Sequence, residues 1–353
     1  MEDAHTHLLS LSEDKDAAFF AVYDGHGGAK VAQYAGSHVH RKIVSQPSYQ
    51  RGDVVDAIKK GFLEVDSDML KDDTMKDELA GTTAVVVLLK GGRIYCGNVG
   101  DSRAIASVGG HVQQLSFDHK PSNELETRRI IAAGGWVEFN RVNGNLALSR
   151  ALGDFVFKKN EKKSPEEQIV TAYPDVIVKD LTPEHEFLLL ACDGIWDVLS
   201  NEEVVEFVRA RIAAKMEPEQ ICEELMTRCL APDCQMGGLG CDNMTVVLVC
   251  LLNGAPYEEL ARRCARPPLP CPPSPPASPR EGYHFDHEVT APIGGELQMD
   301  AHRQGDTAEE SKQMSQEQTM TPEEQTTPVP PSPPTPPSSS APLRESGGEM
   351  AVA

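Results

Sequence analysis

The sequence predicts an α+β fold in which antiparallel sheets are covered by helices. Two pairs of strand-like segments are joined by glycine turns, at Gly91-Gly92 and at Gly109-Gly110. A short glycine turn between two apolar runs is typical of a β-hairpin. Long amphipathic helical patterns lie before and after these hairpins. Consecutive hairpins flanked by helices indicate helix-covered sheets rather than a doubly wound parallel fold.

The elements follow from hydrophobic periodicity and from terminal residues. Residues 200–203 form a capping box that opens a helix, Pro218 begins another helix, and Gly134-Gly135 ends a third. The predicted strands are 17–23, 82–89, 94–97, 103–108, 111–115, 187–192 and 244–252. The predicted helices are 30–43, 54–69, 124–133, 200–212 and 218–230.

Composition changes sharply near Gly254. Of the 26 prolines, seven lie up to Asn253 and the other 19 follow it, in a segment rich in Pro, Ser, Thr and Glu. Such a segment cannot bury enough apolar surface to offset the entropy lost on ordering. We therefore predict a folded domain over residues 1 to about 253 and a disordered tail over 254–353.

Charge and cysteine content narrow the classes of partner and compartment. A net charge of −21 argues against nucleic acid or an anionic membrane as the main partner. Nine cysteines and no signal peptide favour a reducing compartment, the cytoplasm or the nucleus, and we expect a monomer. Four later cysteines lack the close pairs that zinc sites use, which argues against zinc at Cys222, Cys229, Cys234 and Cys241.

Four aspartate motifs stand where an apolar run meets a turn. A carboxylate at the end of a buried strand is costly unless a cation neutralises it. Four such strand ends, brought together by a sheet, would form an oxygen-rich site for hard divalent cations. The motifs are Asp24-Gly25-His26-Gly27-Gly28, Gly100-Asp101-Ser102-Arg103, Asp193-Gly194-Ile195-Trp196-Asp197 and Asp242-Asn243-Met244-Thr245.

The first motif offers the most chemistry. Asp24 is placed to ligate or bridge metal, and Gly25 has no side chain to keep its carbonyl away from an ion. His26 titrates near neutral pH, as a general acid should. The alternative is a glycine-rich turn with an incidental histidine. At the N-terminus, Glu2-Asp3 resembles solvated charge on its own.

Each remaining aspartate also has a structural interpretation. Asp193 and Asp197 would share a helical face, or the first would begin a helix and the second be solvated. Asp242 would form a loop Asx turn, and Asp101 would be a turn residue paired with Arg103. These alternatives weaken together because strand-end aspartates recur within one domain.

The motifs resemble those of the metal-dependent PPM (type 2C) serine/threonine protein phosphatases, most closely the alpha/beta-type animal enzymes. The resemblance covers residues 1 to about 252, and the motifs occur in the family's order. Besides the four aspartate motifs, they are Met1-Glu2-Asp3-Ala4-His5, Gly81-Thr82-Thr83-Ala84, Asp118-His119-Lys120-Pro121 and Leu148-Ser149-Arg150-Ala151-Leu152-Gly153-Asp154.

This resemblance implies a four-layer α-β-β-α sandwich of two mostly antiparallel sheets with a two-metal site at one end. Asp24 would bridge two Mn²⁺ or Mg²⁺ ions. Glu2 and the Gly25 carbonyl would complete one ion, and Asp193 and Asp242 would hold the other. Residues 123–145 would include a flap beside the substrate groove. A weaker third site would use Asp101 and Asp197.

The implied reaction is hydrolysis of phosphoserine and phosphothreonine in proteins by a metal-activated water, with His26 as general acid. The family has an arginine and a first strand upstream of Met-Glu-Asp, and the sequence given begins at that methionine. Without the arginine we expect weaker phosphate binding, and without the strand a looser Glu2. The alternative function is therefore a catalytically weak phosphatase-fold protein that binds or scaffolds phosphoproteins.

The tail carries its own patterns. Seven of residues 328–337 are proline, and the segment favours a polyproline II helix, which would suit SH3 or WW modules or serve as a solvated spacer. Six Ser-Pro and Thr-Pro pairs are candidate sites for proline-directed kinases, at Ser274, Ser278, Thr321, Thr327, Ser332 and Thr335.

Overall fold

A computed structural model describes residues 1–232, 238–270 and 350–352. The proline-rich segment, the six tail sites and Cys234 lie outside the described residues. The helices are α1 (Lys30–Ser45), α2 (Pro47–Gln50), α3 (Val54–Lys71), α4 (Glu124–Ala132), α5 (Asp193–Trp196), α6 (Asn201–Ala213), α7 (Pro218–Cys229) and α8 (Tyr257–Cys264). The strands are β1 (Ala4–Leu8), β2 (Ala17–Tyr23), β3 (Gly25–His26), β4 (Gly81–Thr82), β5 (Ala84–Lys90), β6 (Arg93–Val99), β7 (Arg103–Val108), β8 (His111–Gln114), β9 (Val137–Glu138), β10 (Arg141–Val142), β11 (Leu152–Gly153), β12 (Asp175–Asp180), β13 (His185–Ala191), β14 (Val246–Leu251) and β15 (Met350–Val352).

Two five-stranded antiparallel sheets form the centre of the fold. The first has the order β1-β2-β5-β6-β12 and the second the order β15-β14-β13-β7-β8. The β5–β6 turn consists of Gly91 and Gly92, both with positive φ, and Gly109 and Gly110 join β7 to β8 in the same way. A two-residue turn with two positive φ angles matches the twist of the strands it joins. Both predicted hairpins are therefore confirmed.

The core has three layers of side chains. Two of them can be seen along β2, whose successive side chains point alternately to opposite faces of the first sheet. Phe19, Ala21 and Tyr23 pack with residues of α1 and α3, whereas Phe20 and Val22 pack with residues of the second sheet. All seven residues of β2 are buried because both faces of the strand are covered. A third cluster fills the space between the second sheet and α6, α7 and α8. The result is the predicted α-β-β-α sandwich.

The second helical layer begins at the predicted capping box. Ser200 Oγ accepts from the Glu203 N–H at 3.2 Å, and the Ser200 N–H donates to Glu203 Oε2 at 2.9 Å. This layer continues past the boundary predicted at residue 253, because α8 buries Leu260, Ala261 and Cys264 in the third cluster. The apolar residues of this short helix lie just before the proline-rich segment. The composition of that segment is what suggested a boundary at residue 253.

Strand β1 was not among the predicted elements. Its residues alternate between half-buried and exposed, and it pairs with β2 along the whole strand. His5 and His7 lie on its exposed side, where their rings stack with centroids 5.7 Å apart. Within the described part of the chain, no helix combines the length and the apolarity that a bilayer crossing requires.

Candidate functional site

One cleft of about 310 Å³ brings together residues from the ends of both sheets. Seven of the eight predicted site residues line it: Glu2, Asp24, Gly25, His26, Asp101, Asp193 and Asp242. They come from segments that are far apart in sequence, and each acidic motif stands beside a strand of the two sheets. Residues 145–148 and Arg141 close one side of the cleft.

The backbone of Asp24 is fixed by two threonines after β2 ends. The Asp24 N–H donates to Thr83 Oγ1 at 3.1 Å, and the Asp24 carbonyl accepts from the Thr83 N–H at 2.9 Å. Thr82 Oγ1 also donates to that carbonyl, at 3.0 Å. Hydrogen bonds on the main chain leave the carboxylate free to face the cleft, which it lines.

The carboxylates of the cleft lack enough cations of their own. Burial is the larger cause and the charge of Asp193 the next, and together with the other nearby carboxylates they raise the pKa of Asp24 to about 9. Burial and then the charge of Asp101 raise the pKa of Asp193 to about 6. Lys120 forms an ion pair with Asp101, but no described lysine, arginine or histidine pairs with Asp24, Asp193 or Asp242. Such a cluster is stable with its charges only if a bound cation neutralises it.

The donor set fits a hard divalent ion. All the candidate ligands are carboxylate or carbonyl oxygens, which Mg²⁺ and Mn²⁺ prefer. Among residues 1–232 and 238–270, no three acidic, histidine or cysteine side chains are gathered closely enough to hold an ion by themselves. Mg²⁺ commonly takes only one or two carboxylates and keeps several waters, so a loose acidic cleft suits it.

Glycines permit the close packing of the cleft. A Cβ on Gly25 would clash with the Glu2 carbonyl oxygen, and a Cβ on Gly194 would clash with the carbonyl oxygen of Asn243. These contacts hold the Glu2 segment and the Asp242 segment against the ends of the two sheets. The sequence predicted Gly25 for the approach of its own carbonyl to an ion; the structure adds the approach of Glu2.

His26 is held by a carboxylate that the sequence analysis assigned no role. His26 Nε2 lies 2.7 Å from Asp154 Oδ2, and the Asp154 side chain is only 4% exposed. Burial lowers the pKa of His26, but the hydrogen bond and charge of Asp154 outweigh it and raise the pKa above its usual value. Gly81 borders this contact, since a Cβ there would overlap both side chains.

Asp3 is a second acidic residue whose burial the sequence did not indicate. Its Oδ2 accepts from Thr245 Oγ1 at 2.6 Å, whereas its Oδ1 is buried and has no hydrogen-bond partner in the described structure. Burial raises the pKa of Asp3, and the charge of Asp242 adds to the effect. An acidic residue beside a chain terminus gives no sign of burial, and only the pairing of β1 with β2 places Asp3 next to the second sheet.

Two aspartates depart from an expectation: Asp101 from the alternative pairing with Arg103, and Asp197 from the predicted site. Asp101 does not pair with Arg103, because Arg103 makes two hydrogen bonds to Asp118, at 2.9 and 2.8 Å. Asp197 lies one helical turn after Asp193, is exposed, and is absent from the lining of the cleft. It acts on the cleft only through its charge, which contributes to the raised pKa of Asp193.

Comparison with known proteins identifies the family. A model of the protein phosphatase 2C family matches residues 1–236. The chain belongs to the protein phosphatase 2C family. It is 67% identical over 267 residues to a probable protein phosphatase 2C of Caenorhabditis elegans, covering 76% of this chain and 75% of the relative. A protein phosphatase 2C homolog 2 of Aspergillus fumigatus is 50% identical over 289 residues, covering 77% of this chain and 67% of the relative.

A solved structure supports the fold. The crystal structure of a phosphatase from a pathogenic strain of Toxoplasma gondii superposes with a TM-score of 0.59 at 29% identity, covering 70% of this chain and 87% of that one. The chain is therefore a protein phosphatase of a metal-dependent family, with phosphoproteins as its substrate class. The relatives do not favour the scaffold alternative.

In this protein phosphatase 2C, the predicted flap segment packs beside the cleft through a buried acid. Glu126 of α4 accepts from Arg129 at 2.6 Å, from Arg150 at 2.7 Å and from Ser149 Oγ at 2.7 Å. Burial alone would raise the pKa of Glu126. The hydrogen bond and charge of Arg150, with smaller contributions from Arg129 and Ser149, outweigh burial and lower the pKa to about 2. This network joins α4 to the residues just after the segment 145–148 that lines the cleft.

Proposed function

We propose that this protein phosphatase 2C hydrolyses phosphoserine and phosphothreonine in proteins with two Mn²⁺ or Mg²⁺ ions. Asp24, Asp193 and Asp242 would supply ligands to one ion, and Asp24, Glu2 and the Gly25 carbonyl to the other, with waters completing each coordination shell. Asp101 would contribute to a weaker third site, to which Asp197, outside the cleft, would add only its charge. When bound, the ions supply charge stabilisation and an activated water.

The protein's own part in the reaction begins with orientation. A phosphorylated side chain has to enter the acidic cleft, where Arg141 is the cationic residue among those that line it. The backbone carbonyl of Asp24 and the hydroxyls of Thr82 and Thr83 are already committed to hydrogen bonds, so the cleft keeps its shape. A fixed arrangement would hold the phosphate ester in one orientation without further ordering.

His26 would supply the proton that the leaving group needs. Its Nε2 is bonded to Asp154, which leaves Nδ1 as the nitrogen able to donate. As water oxygen bonds to phosphorus and the ester P–O bond breaks, the seryl or threonyl oxygen would take the proton from Nδ1. The raised pKa of His26 favours the protonated ring in which both nitrogens carry hydrogen.

The observation that carries this proposal is the meeting of Asp24, Asp193 and Asp242 in one cleft without cations of their own. The test is hydrolysis of a phosphothreonine peptide by the full chain with Mn²⁺, with Mg²⁺ and with chelator. We expect turnover with either ion and none with chelator. Folded protein without turnover under any condition would reject the proposal, and equal turnover with chelator would reject the metal requirement.

A further inference from the structure

A buried ion pair lies next to the loop that carries Asp154. Lys158 Nζ is 2.9 Å from each carboxylate oxygen of Asp66, and the two side chains are only 5% and 11% exposed. Lys158 Nζ also donates to the Ala151 carbonyl at 2.8 Å, so the ammonium group is fully hydrogen-bonded. Because desolvation offsets most of the attraction in a buried pair, stability alone is a weak reason for its presence.

The pair holds the loop on both sides of Asp154. Asp66 Oδ1 accepts from the Gly153 N–H at 2.8 Å, and Lys158 follows four residues after Asp154. Asp154 itself is in the left-handed region, with φ 50° and ψ 40°. Such a backbone in a residue other than glycine persists where surrounding contacts enforce it. The contacts at Ala151, Gly153 and Lys158 are of that kind.

The same loop decides where His26 points. Asp154 is the only hydrogen-bond partner of the His26 ring among the described residues. The backbone N–H of Asp154 donates to the Ala80 carbonyl at 3.1 Å. Asp66 thus connects α3 to the histidine through Gly153 and Asp154. A displacement of about 1 Å at a reacting group can cost on the order of 100-fold in rate.

We propose that Asp66 and Lys158 are positioning residues for proton transfer, which they serve by fixing Asp154 and, through it, His26. The inference rests on the proposed role of His26 as general acid. It concerns only the proton that goes from Nδ1 to the leaving oxygen as the ester P–O bond breaks. The leaving group therefore provides the test, since a weakly basic leaving group needs no such proton.

The experiment compares two substrates, a phosphoserine peptide and 4-nitrophenyl phosphate, both with saturating Mn²⁺. The variant is Asp66→Asn with Lys158→Met, which removes both charges and so leaves none buried without a partner. We expect kcat on the peptide to fall about 10- to 100-fold, with KM unchanged. On the aryl phosphate we expect a loss of less than about threefold.

Three controls make the outcome decisive. Asp56→Asn with Lys60→Met removes a partly exposed ion pair of the same helix, 2.7 Å long, and should leave both substrates unaffected. Lys158→Met alone retains the Asp66 acceptor for Gly153, in a side chain that can take up a proton, and serves as a second variant if the double variant does not fold. In a His26→Ala background, the double variant should cause no further loss on the peptide.

Equal losses on the two substrates, no loss on either, or full additivity with His26→Ala would overturn the inference and leave the pair a purely structural one. Failure of the proposed function has a different signature. In that case the wild-type chain itself would show no metal-dependent turnover on either substrate, and the inference would fall with it.

Discussion

Two groups of acidic residues lie in and beside the same cleft, and they differ in their partners. Glu126 is surrounded by Arg129, Arg150 and Ser149, and its pKa is lowered to about 2. Asp24 has other carboxylates around it instead, and its pKa is raised to about 9. The first group is complete within the protein and holds the flap helix. The second lacks cationic partners of its own, which makes it the site at which we propose that metal binds.

The largest expected effect comes from removing one charge of the second group. Asp193→Asn should lower turnover of a phosphothreonine peptide on the order of 1,000-fold, because it removes a proposed metal ligand on which transition-state charge stabilisation would depend. In chelator, the same variant should be more stable than wild type by about 1 to 2 kcal/mol, since repulsion within the cluster falls. Peptide assays and thermal unfolding with and without Mn²⁺ check the two halves.

Asp56→Asn is the matched control for this change, because Asp56 is a half-buried aspartate outside the cleft that already has a cationic partner in Lys60. It should alter neither turnover nor the Mn²⁺-induced rise in unfolding temperature. If Asp193→Asn destabilised the metal-free protein, the cluster would not be repulsive, and the contrast with Glu126 would lose its basis.

The first group responds in the opposite way. Glu126→Gln should destabilise the fold by about 3 kcal/mol, because two buried arginines lose their common carboxylate. Glu124→Gln, on the same helix but in an exposed pair with Arg128, should change stability by less than about 0.5 kcal/mol. Urea unfolding at pH 7 measures both variants. Equal effects of the two substitutions would show that burial of the Glu126 network contributes nothing.

The pH dependence of stability sharpens the comparison. The folded-state pKa of Glu126 is lowered from 4.5 to about 2, so its contribution is present above pH 4.5 and is lost as the pH falls toward 2. The full contribution corresponds to about 3 kcal/mol. The difference in unfolding free energy between wild type and Glu126→Gln should therefore shrink between pH 5 and the acid limit of folding. A difference that stays constant over this range would contradict the assigned pKa.

The fold was predictable because local signals agree with it. The two glycine hairpins, the capping box at Ser200 and the apolar run of β2 each determine an element without long-range contacts. Strand β1 lacked such a signal, since only one side of it is half-buried and its histidines are polar. The extent of the fold past residue 253 was missed because α8 is short and lies next to prolines.

The meeting of these acids was predictable where an aspartate adjoins an apolar run. Asp24 and Asp193 end such a run, Asp242 precedes one, and all three line the cleft. Asp154 carries no such mark: it follows a two-residue strand, and its contact with His26 spans 128 positions. Its left-handed backbone, which aspartate tolerates better than most residues, becomes visible only in the folded structure. Long-range side-chain contacts of this kind depend on the packed fold rather than on the sequence pattern.

The smallest expected effect is that of Asp197→Asn, which tests whether an acid next to the cleft behaves differently from the acids that line it. Asp197 is exposed and lies outside the cleft, so Asp197→Asn removes only a screened charge near Asp193. We expect unchanged turnover at saturating Mn²⁺ and a two- to threefold higher Mn²⁺ concentration for half-activity, which corresponds to about 0.5 kcal/mol. A metal titration of activity measures both values, with Glu202→Gln, an exposed acid at the start of α6, as control. A loss of maximal turnover as large as that of Asp193→Asn would make Asp197 a direct ligand and would extend the metal site beyond the cleft.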